Sequence, residues 1–211
     1  MKYKLVVFDM DGTILNTLTD LLNAVNYALE KNNYPLRTIA ELKNFVGNGI
    51  DKMLERSAPS GADLKKLKVD FTEFYSVHCG DNTAPYDGIV DAIKEIKNCG
   101  YKTAVVSNKD DYAVKVLVDD FFNGLFDISI GAREGLNKKP SADLVNIAFK
   151  ELNTSCEQSV YVGDSDVDFL TSQNSKTDFI GVEWGFRDRE LLESLGAKIV
   201  VSHPSEIIKY L

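Results

Sequence analysis

Short apolar runs recur along the chain at Leu5–Phe8, Thr103–Val106, Asp127–Ile130, Ser159–Val162, Phe179–Val182 and Ile199–Val201. Each is continuous rather than alternating, the pattern of strands buried on both faces. From Asp87 onward they alternate with helix-period segments at Gly88–Asn98, Asp111–Phe122, Ala142–Leu152, Asp166–Asn174 and Arg189–Leu195. Strand–helix alternation of this kind predicts an α/β fold, a Rossmann-like parallel sheet with helices on both faces. Gly100 and Gly196 stand where glycines that end helices are expected.

The stretch from Asn16 to Ala84 breaks this rhythm and contains no convincing strand. Leu18, Leu21, Leu22, Val25, Ala28 and Leu29 follow the 3.6-residue period, and Leu64, Leu67, Phe71, Phe74 and Tyr75 mark a further helix. Thr17 with Asp20, and Thr38 with Glu41, offer capping-box starts. The pattern predicts a helical cap domain over residues 16–84, inserted into a core formed by residues 1–15 and 85–211.

Composition narrows the partners. With 24 Lys and Arg against 32 Asp and Glu, the formal charge is −8, which steers neither nucleic acid nor an anionic membrane surface toward the chain. No apolar run approaches the ~20 residues of a membrane span, and Met1 to Lys4 lead straight into a strand without the shape of a signal peptide. Cys79, Cys99 and Cys156 are sparse, odd in number and without a C-x-x-C pair, which argues against a disulfide framework or zinc site and for a cytoplasmic protein. A monomer or homodimer is expected.

The candidate chemistry lies at strand ends. Leu5–Phe8 runs into Asp9 and Asp11, Thr103–Val106 into Ser107 and Asn108, and Ser159–Val162 into Gly163, Asp164, Asp166 and Asp168. Ligands of open parallel sheets sit beyond the carboxyl ends of the strands, so these groups should converge on one cleft. Each alone has an ordinary reading: Asp9 as a turn residue, Asp164 or Asp168 as a helix cap, Ser107 as a turn hydroxyl, Lys139 as a solvated lysine. Their joint placement, in order at corresponding strand ends or in a loop between them, favours a site. Two charges ~4 Å apart repel by about 4 kcal/mol at an effective dielectric near ~20. A cluster of Asp9, Asp11 and Asp164 therefore calls for a hard cation with oxygen ligands, and Mg2+ fits.

These residues resemble the haloacid dehalogenase-like superfamily of aspartate-nucleophile phosphatases. Its D-x-D-G-[TV] motif is similar to Asp9-Met10-Asp11-Gly12-Thr13, its strand-ending Ser or Thr to Ser107, its Lys, often followed by Pro, to Lys139-Pro140, and its G-D-x-x-x-D to Gly163–Asp168. All four occur in order over nearly the whole chain. Phe45-Val46-Gly47-Asn48-Gly49-Ile50 with Leu54-Glu55-Arg56, Pro85-Tyr86-Asp87-Gly88, and Trp184-Gly185-Phe186-Arg187 with Leu195-Gly196-Ala197 resemble the phosphoglycolate phosphatase subgroup. The chain departs from many relatives at Asn16-Thr17, where Asp-Ser is common, and it carries two adjacent lysines, of which the Lys-Pro pattern favours Lys139 over Lys138.

The resemblance implies a phosphatase for a small phosphorylated metabolite, 2-phosphoglycolate first, working through an aspartyl-phosphate. Asp9 would be the nucleophile, and Asp11 the general acid and then base. Dehalogenases of the superfamily lack that acid, because a halide leaves without a proton. Lys139 and Mg2+ would offset charge; the metal ligands would be Asp9, the Asp11 carbonyl and Asp164, with Asp168 in support. Ser107 and the Asn108 N–H would hold phosphate oxygens, with the backbone around Met10 beside them. Gly12 would permit a sharp turn. Thr13 would orient Asp11 or merely shape that turn. Gly47, Asn48 and Gly49 would touch substrate or form a tight helix connection, and Arg37 and Arg56 are candidate partners for a substrate carboxylate. His78 and Trp184 read as packing residues. The alternatives within the fold are a pyrophosphatase, sugar phosphatase, nucleotidase or β-phosphoglucomutase-like mutase, and outside catalysis a regulatory module.

Overall fold

The computed structural model describes residues 2–211, so the Met1 end of the expected core lies outside the described residues. Strand β1 (Leu5–Phe8) is fully buried at every position. Leu5 and Val7 point into one apolar cluster while Val6 and Phe8 point into another, so the continuous apolar run serves two cores, one on each face of the sheet. Five further strands complete that sheet: β4 (Lys102–Asp110), β5 (Ile128–Ala132), β6 (Ser159–Gly163), β7 (Asp178–Val182) and β8 (Val200–Val201). Their order is β5-β4-β1-β6-β7-β8, and every pairing is parallel. Helices α5 (Ile89–Asn98), α6 (Asp111–Phe122), α7 (Asp143–Glu151), α8 (Asp166–Ser175) and α9 (Arg189–Leu195) connect them. The chain reverses direction of travel across the sheet at β1, with β4 on one side and β6 on the other, which puts the ligand crevice beyond the end of β1.

Register fixes what meets there. Phe8 lies opposite Val105 of β4 and Val162 of β6, so Asp9 leaves the sheet beside Gly163, the last residue of β6, and beside the end of the apolar run of β4. β4 is longer than its apolar run predicts. Its pairing with β5 shifts between Val106 and Asp110, so Ser107 and Asn108 sit within an irregular extension rather than after the strand's last residue.

Between Asn16 and Ala84 four helices pack on one another: α1 (Leu18–Lys31), α2 (Ile39–Phe45), α3 (Ile50–Ser57) and α4 (Leu64–His78). Entry and exit are joined by a short antiparallel ribbon of β2 (Leu15–Asn16) and β3 (Ala84–Pro85), strands too short to be read from the sequence. The Thr38–Glu41 capping box forms, with Thr38 Oγ1 accepting from Glu41 N at 3.3 Å and Glu41 Oε2 accepting from Thr38 N at 2.8 Å. The Thr17–Asp20 box does not form. Thr17 turns to Asp11, and the buried Asp20 instead accepts from the backbone N–H of Asn82 at 2.9 Å and of Thr83 at 2.8 Å. Asp20 thus ties the outgoing chain to the start of α1, stabilising the ribbon junction where plain helix capping was expected.

Candidate active site

The turn after β1 delivers Asp9, 7% exposed, to the floor of a cavity of about 180 Å³ between the sheet and the four helices. Lys139, from the loop before α7, reaches Asp9 Oδ1 at 2.6 Å and Asp168 Oδ1 at 2.8 Å, and its third contact is the Tyr161 hydroxyl at 3.0 Å. All three ammonium hydrogens are therefore spent. Burial alone pulls the Lys139 pKa down, but Asp168 and Asp9 outweigh it and hold the lysine charged.

The carboxylates differ in how much bonding capacity the protein has used. One oxygen each of Asp9, Asp164 and Asp168 lies within 4.8 Å of the others. Asp168 accepts from Ser165 N and Oγ on one oxygen and from Lys139 and Tyr161 on the other, which fills the roughly four sites of a carboxylate. Among the described residues Asp164 accepts only from Thr13 Oγ1 at 2.9 Å and Phe186 N at 2.7 Å. Asp9 accepts only from Lys139, and among the described residues no donor reaches its Oδ2. Burial raises the Asp9 pKa well above the usual range, as do Asp168 and Asp164, while Lys139 opposes them. Burial also pushes Asp164 up to about 7, with Asp168 adding to it. Clustered acids destabilised as anions, with Asp9 Oδ2 open and one lone pair spare on each Asp164 oxygen, are the donor set that a hard divalent cation fits.

Two glycines let the backbone approach this cluster. Gly12 has φ +91°, and a Cβ there would lie 2.5 Å from Asp164 Oδ2. A Cβ at Gly185 would lie 2.3 Å from Asp164 Cβ and 2.4 Å from the Gly12 carbonyl oxygen. Neither position admits a side chain without displacing Asp164.

Asp11 sits at the cavity rim. Its Oδ1 accepts from Thr17 Oγ1 at 2.6 Å and lies 3.0 Å from Lys109 Nζ, while among the described residues nothing donates to Oδ2. Thr13, one of whose expected roles was to orient Asp11, instead orients Asp164. Asn108 is a clamp: its amide accepts from Lys139 N at 2.7 Å and donates to Lys139 O at 3.0 Å and Gly47 O at 3.1 Å. Ser107 lines the cavity, with its Oγ accepting from Lys109 N at 3.2 Å.

The remaining expectations divide. Gly47 and Gly49 line the cavity, but Asn48 does not, and Met10 is fully buried with its side chain in the apolar core. Arg37 is turned to Ser57 O and Glu41, and Arg56 to Phe45 O, so neither reaches the cavity. Lys138 pairs with Asp51 across the cleft at 3.2 Å. His78 pairs with Asp81 at the end of α4, and the Trp184 indole N–H donates to Thr13 O.

Sequence reasoning missed four participants: Tyr161, Thr17, Lys109 and Arg187. Tyr161 carried a signal, because a tyrosine inside a buried strand must bring its hydroxyl to a partner. Arg187 bridges the sheet core and the insert by donating to Lys43 O at 2.7 Å and Val46 O at 3.2 Å.

Residues 6–182 match the family model described as haloacid dehalogenase-like hydrolase. The chain belongs to that family, and it is a phosphatase of it. A phosphoglycolate phosphatase from Psychrobacter arcticus is 31% identical over 226 residues, covering 100% of this chain and 96% of its own length. One from Caulobacter vibrioides is 30% identical, covering 93% and 85% respectively. A solved structure from Lactobacillus delbrueckii subsp. bulgaricus, provisionally named a phosphoglycolate phosphatase, superposes with a TM-score of 0.93 at 34% identity, covering 100% of this chain and 98% of that one.

Proposed function

We propose that this chain hydrolyses a small phosphomonoester, 2-phosphoglycolate first, through an aspartyl-phosphate on Asp9 with Mg2+ as cofactor. The observation that carries the reading is Asp9 itself: a buried carboxylate at the sheet's switch point, one oxygen held by Lys139 and the other without a donor among the described residues. The relatives' names support the substrate.

Asp9, Asp164 and the Asp11 carbonyl would hold Mg2+, which would supply positive charge against the phosphoryl oxygens. Asp9 Oδ2 attacks phosphorus and the bond to the leaving oxygen breaks. Asp11, steadied by Thr17, gives its proton to that oxygen, then takes one from the water that cleaves the phospho-aspartate. Lys139 keeps Asp9 aligned and offsets the charge of the transferring group, while Asp168 and Tyr161 hold Lys139 in place. Ser107 and the Asn108 N–H receive a phosphoryl oxygen, and Asn108's amide fixes Lys139.

Residues 16–84 act as a cap that excludes water while the phospho-aspartate forms, swinging about the ribbon junction. Asn108, Lys138 and Arg187 contact that cap from positions next to or near the reacting groups, which supports the division. Among the described residues no helix is long and apolar enough to cross a membrane. The three cysteines are free thiols, which supports a reducing, cytoplasmic setting.

Phosphate release from 2-phosphoglycolate, measured with Mg2+, with chelator, and for Asp9→Asn, tests this reading. Loss by three orders of magnitude or more in both controls is expected. Turnover that survives Asp9→Asn ends it.

A further inference from the structure

The cavity contains a buried cation with no task in the reaction above. Lys109, at the irregular end of β4, is 6% exposed and lines the cavity. Its Nζ donates to the Tyr75 hydroxyl of α4 at 2.7 Å and lies 3.0 Å from Asp11 Oδ1. An ammonium group has three hydrogens, so one is unspent. Lys139 and Arg187, the other cations that line the cavity, are committed, and Lys138, just outside it, pairs with Asp51. Lys139 uses all three hydrogens on Asp9, Asp168 and Tyr161, and Arg187 is held by Lys43 O, Val46 O and Asp166. Arg37 and Arg56 face away.

The surroundings suit an anionic guest. Thr72 and Ser76, four residues apart and so on one face of α4, line the same cavity beside Tyr75. Leu21, Val46, Ile50, Met53 and Phe71 supply much of the remaining helical wall. A negative group placed among those apolar side chains without a cation would be strongly disfavoured. Lys109 is the position where one would be met.

We propose that Lys109, oriented by Tyr75, anchors an anionic group on the substrate's leaving portion, a carboxylate a few bonds from the phosphoryl group. The site thereby selects phosphorylated small hydroxy acids over neutral alkyl phosphates. This deepens, and rests on, the reading of Asp9 as the nucleophile of a phosphomonoester hydrolase.

The test compares kcat/KM for 2-phosphoglycolate with that for ethyl phosphate, which replaces the carboxylate by a methyl group. The wild-type chain should prefer the acid by a factor on the order of 30 or more, the range of a charged hydrogen bond. In Lys109→Met that ratio should collapse to within about threefold, whatever happens to the absolute rates, and Lys109→Arg should retain part of it. Lys109→Gln, neutral yet able to bond Tyr75, reads the same ratio if the methionine variant does not fold. An acid preference that persists in the neutral variants assigns Lys109 to Asp11 or to stability alone and overturns the proposal. A wild-type ratio near one overturns the substrate class. Activity surviving Asp9→Asn would instead remove the underlying phosphatase mechanism, so the failures are distinguishable.

Discussion

Replacing Lys139 by methionine tests the electrostatics of the site without changing its shape much. The Nζ lies 2.6 Å from Asp9 and 2.8 Å from Asp168, and the lysine side chain is 2% exposed. At an effective dielectric of ~20 each contact carries roughly 6 kcal/mol of gross attraction, most of it offset by the cost of desolvating the charges. Removing one partner leaves the others buried and unpaired, which costs about 3–5 kcal/mol. In a chain of this size each kcal/mol moves Tm by roughly 2–4 °C, so the expected drop is roughly 6–20 °C. Calorimetry at pH 7 in chelator reads it directly. Added Mg2+ should recover part of the loss, because it supplies charge to the same carboxylates, while kcat stays down by on the order of 100-fold or more. A shift of less than about 2 °C in chelator would refute the view that Lys139 is the protein's counter-charge to Asp9 and Asp168.

Two further outcomes follow from named contacts. Thr17→Val removes the 2.6 Å bond to Asp11, so kcat should fall roughly tenfold or more and Thr17→Ser should restore most of it, read by steady-state kinetics. Asp164 keeps its proton to about pH 7 in the metal-free fold, against an ordinary value of 3.8, a difference worth on the order of 4 kcal/mol. Because the folded state holds that proton more tightly, this stability is complete below about pH 4 and is lost as pH rises through about 7. Thermal scans of the metal-free chain should therefore show Tm falling between about pH 5 and about pH 8, with Mg2+ reversing the fall; a rising Tm would contradict it.

How far the sequence could be read depends on the kind of contact involved. Asp9 and Asp164 were legible because a strand's end in a parallel sheet fixes where its next residues go, and the register of β1 with β4 and β6 bears that placement out. Helices α1 and α4 of the insert were legible from their period, α2 only from its capping box and α3 not at all, while in the core Asp111–Phe122 and Arg189–Leu195 match their expected bounds. Thr17 was misread because local spacing proposes a helix cap, whereas the fold offers its hydroxyl a charged acceptor and gives Asp20 two backbone N–H groups from the returning chain. Lys109 and Arg187 were given no role because nothing local marks a lysine or arginine as buried. Their partners, Tyr75, Lys43 and Val46, lie 34 or more residues away and meet them only when the insert folds over the sheet. The arginines proposed for substrate, Arg37 and Arg56, instead satisfy carbonyls within the insert, 20 and 11 residues away, which the helical period does not reveal.

The most direct measurement is to trap the covalent enzyme. The chain, mixed with 2-phosphoglycolate and Mg2+ and quenched in acid within the first turnover, would be treated with borohydride, which reduces an acyl phosphate to an alcohol. Peptide mass spectrometry should then find homoserine at position 9, and only when substrate and metal were both present. Reduction at another carboxylate, or full turnover with Asp9 never modified, would contradict the account.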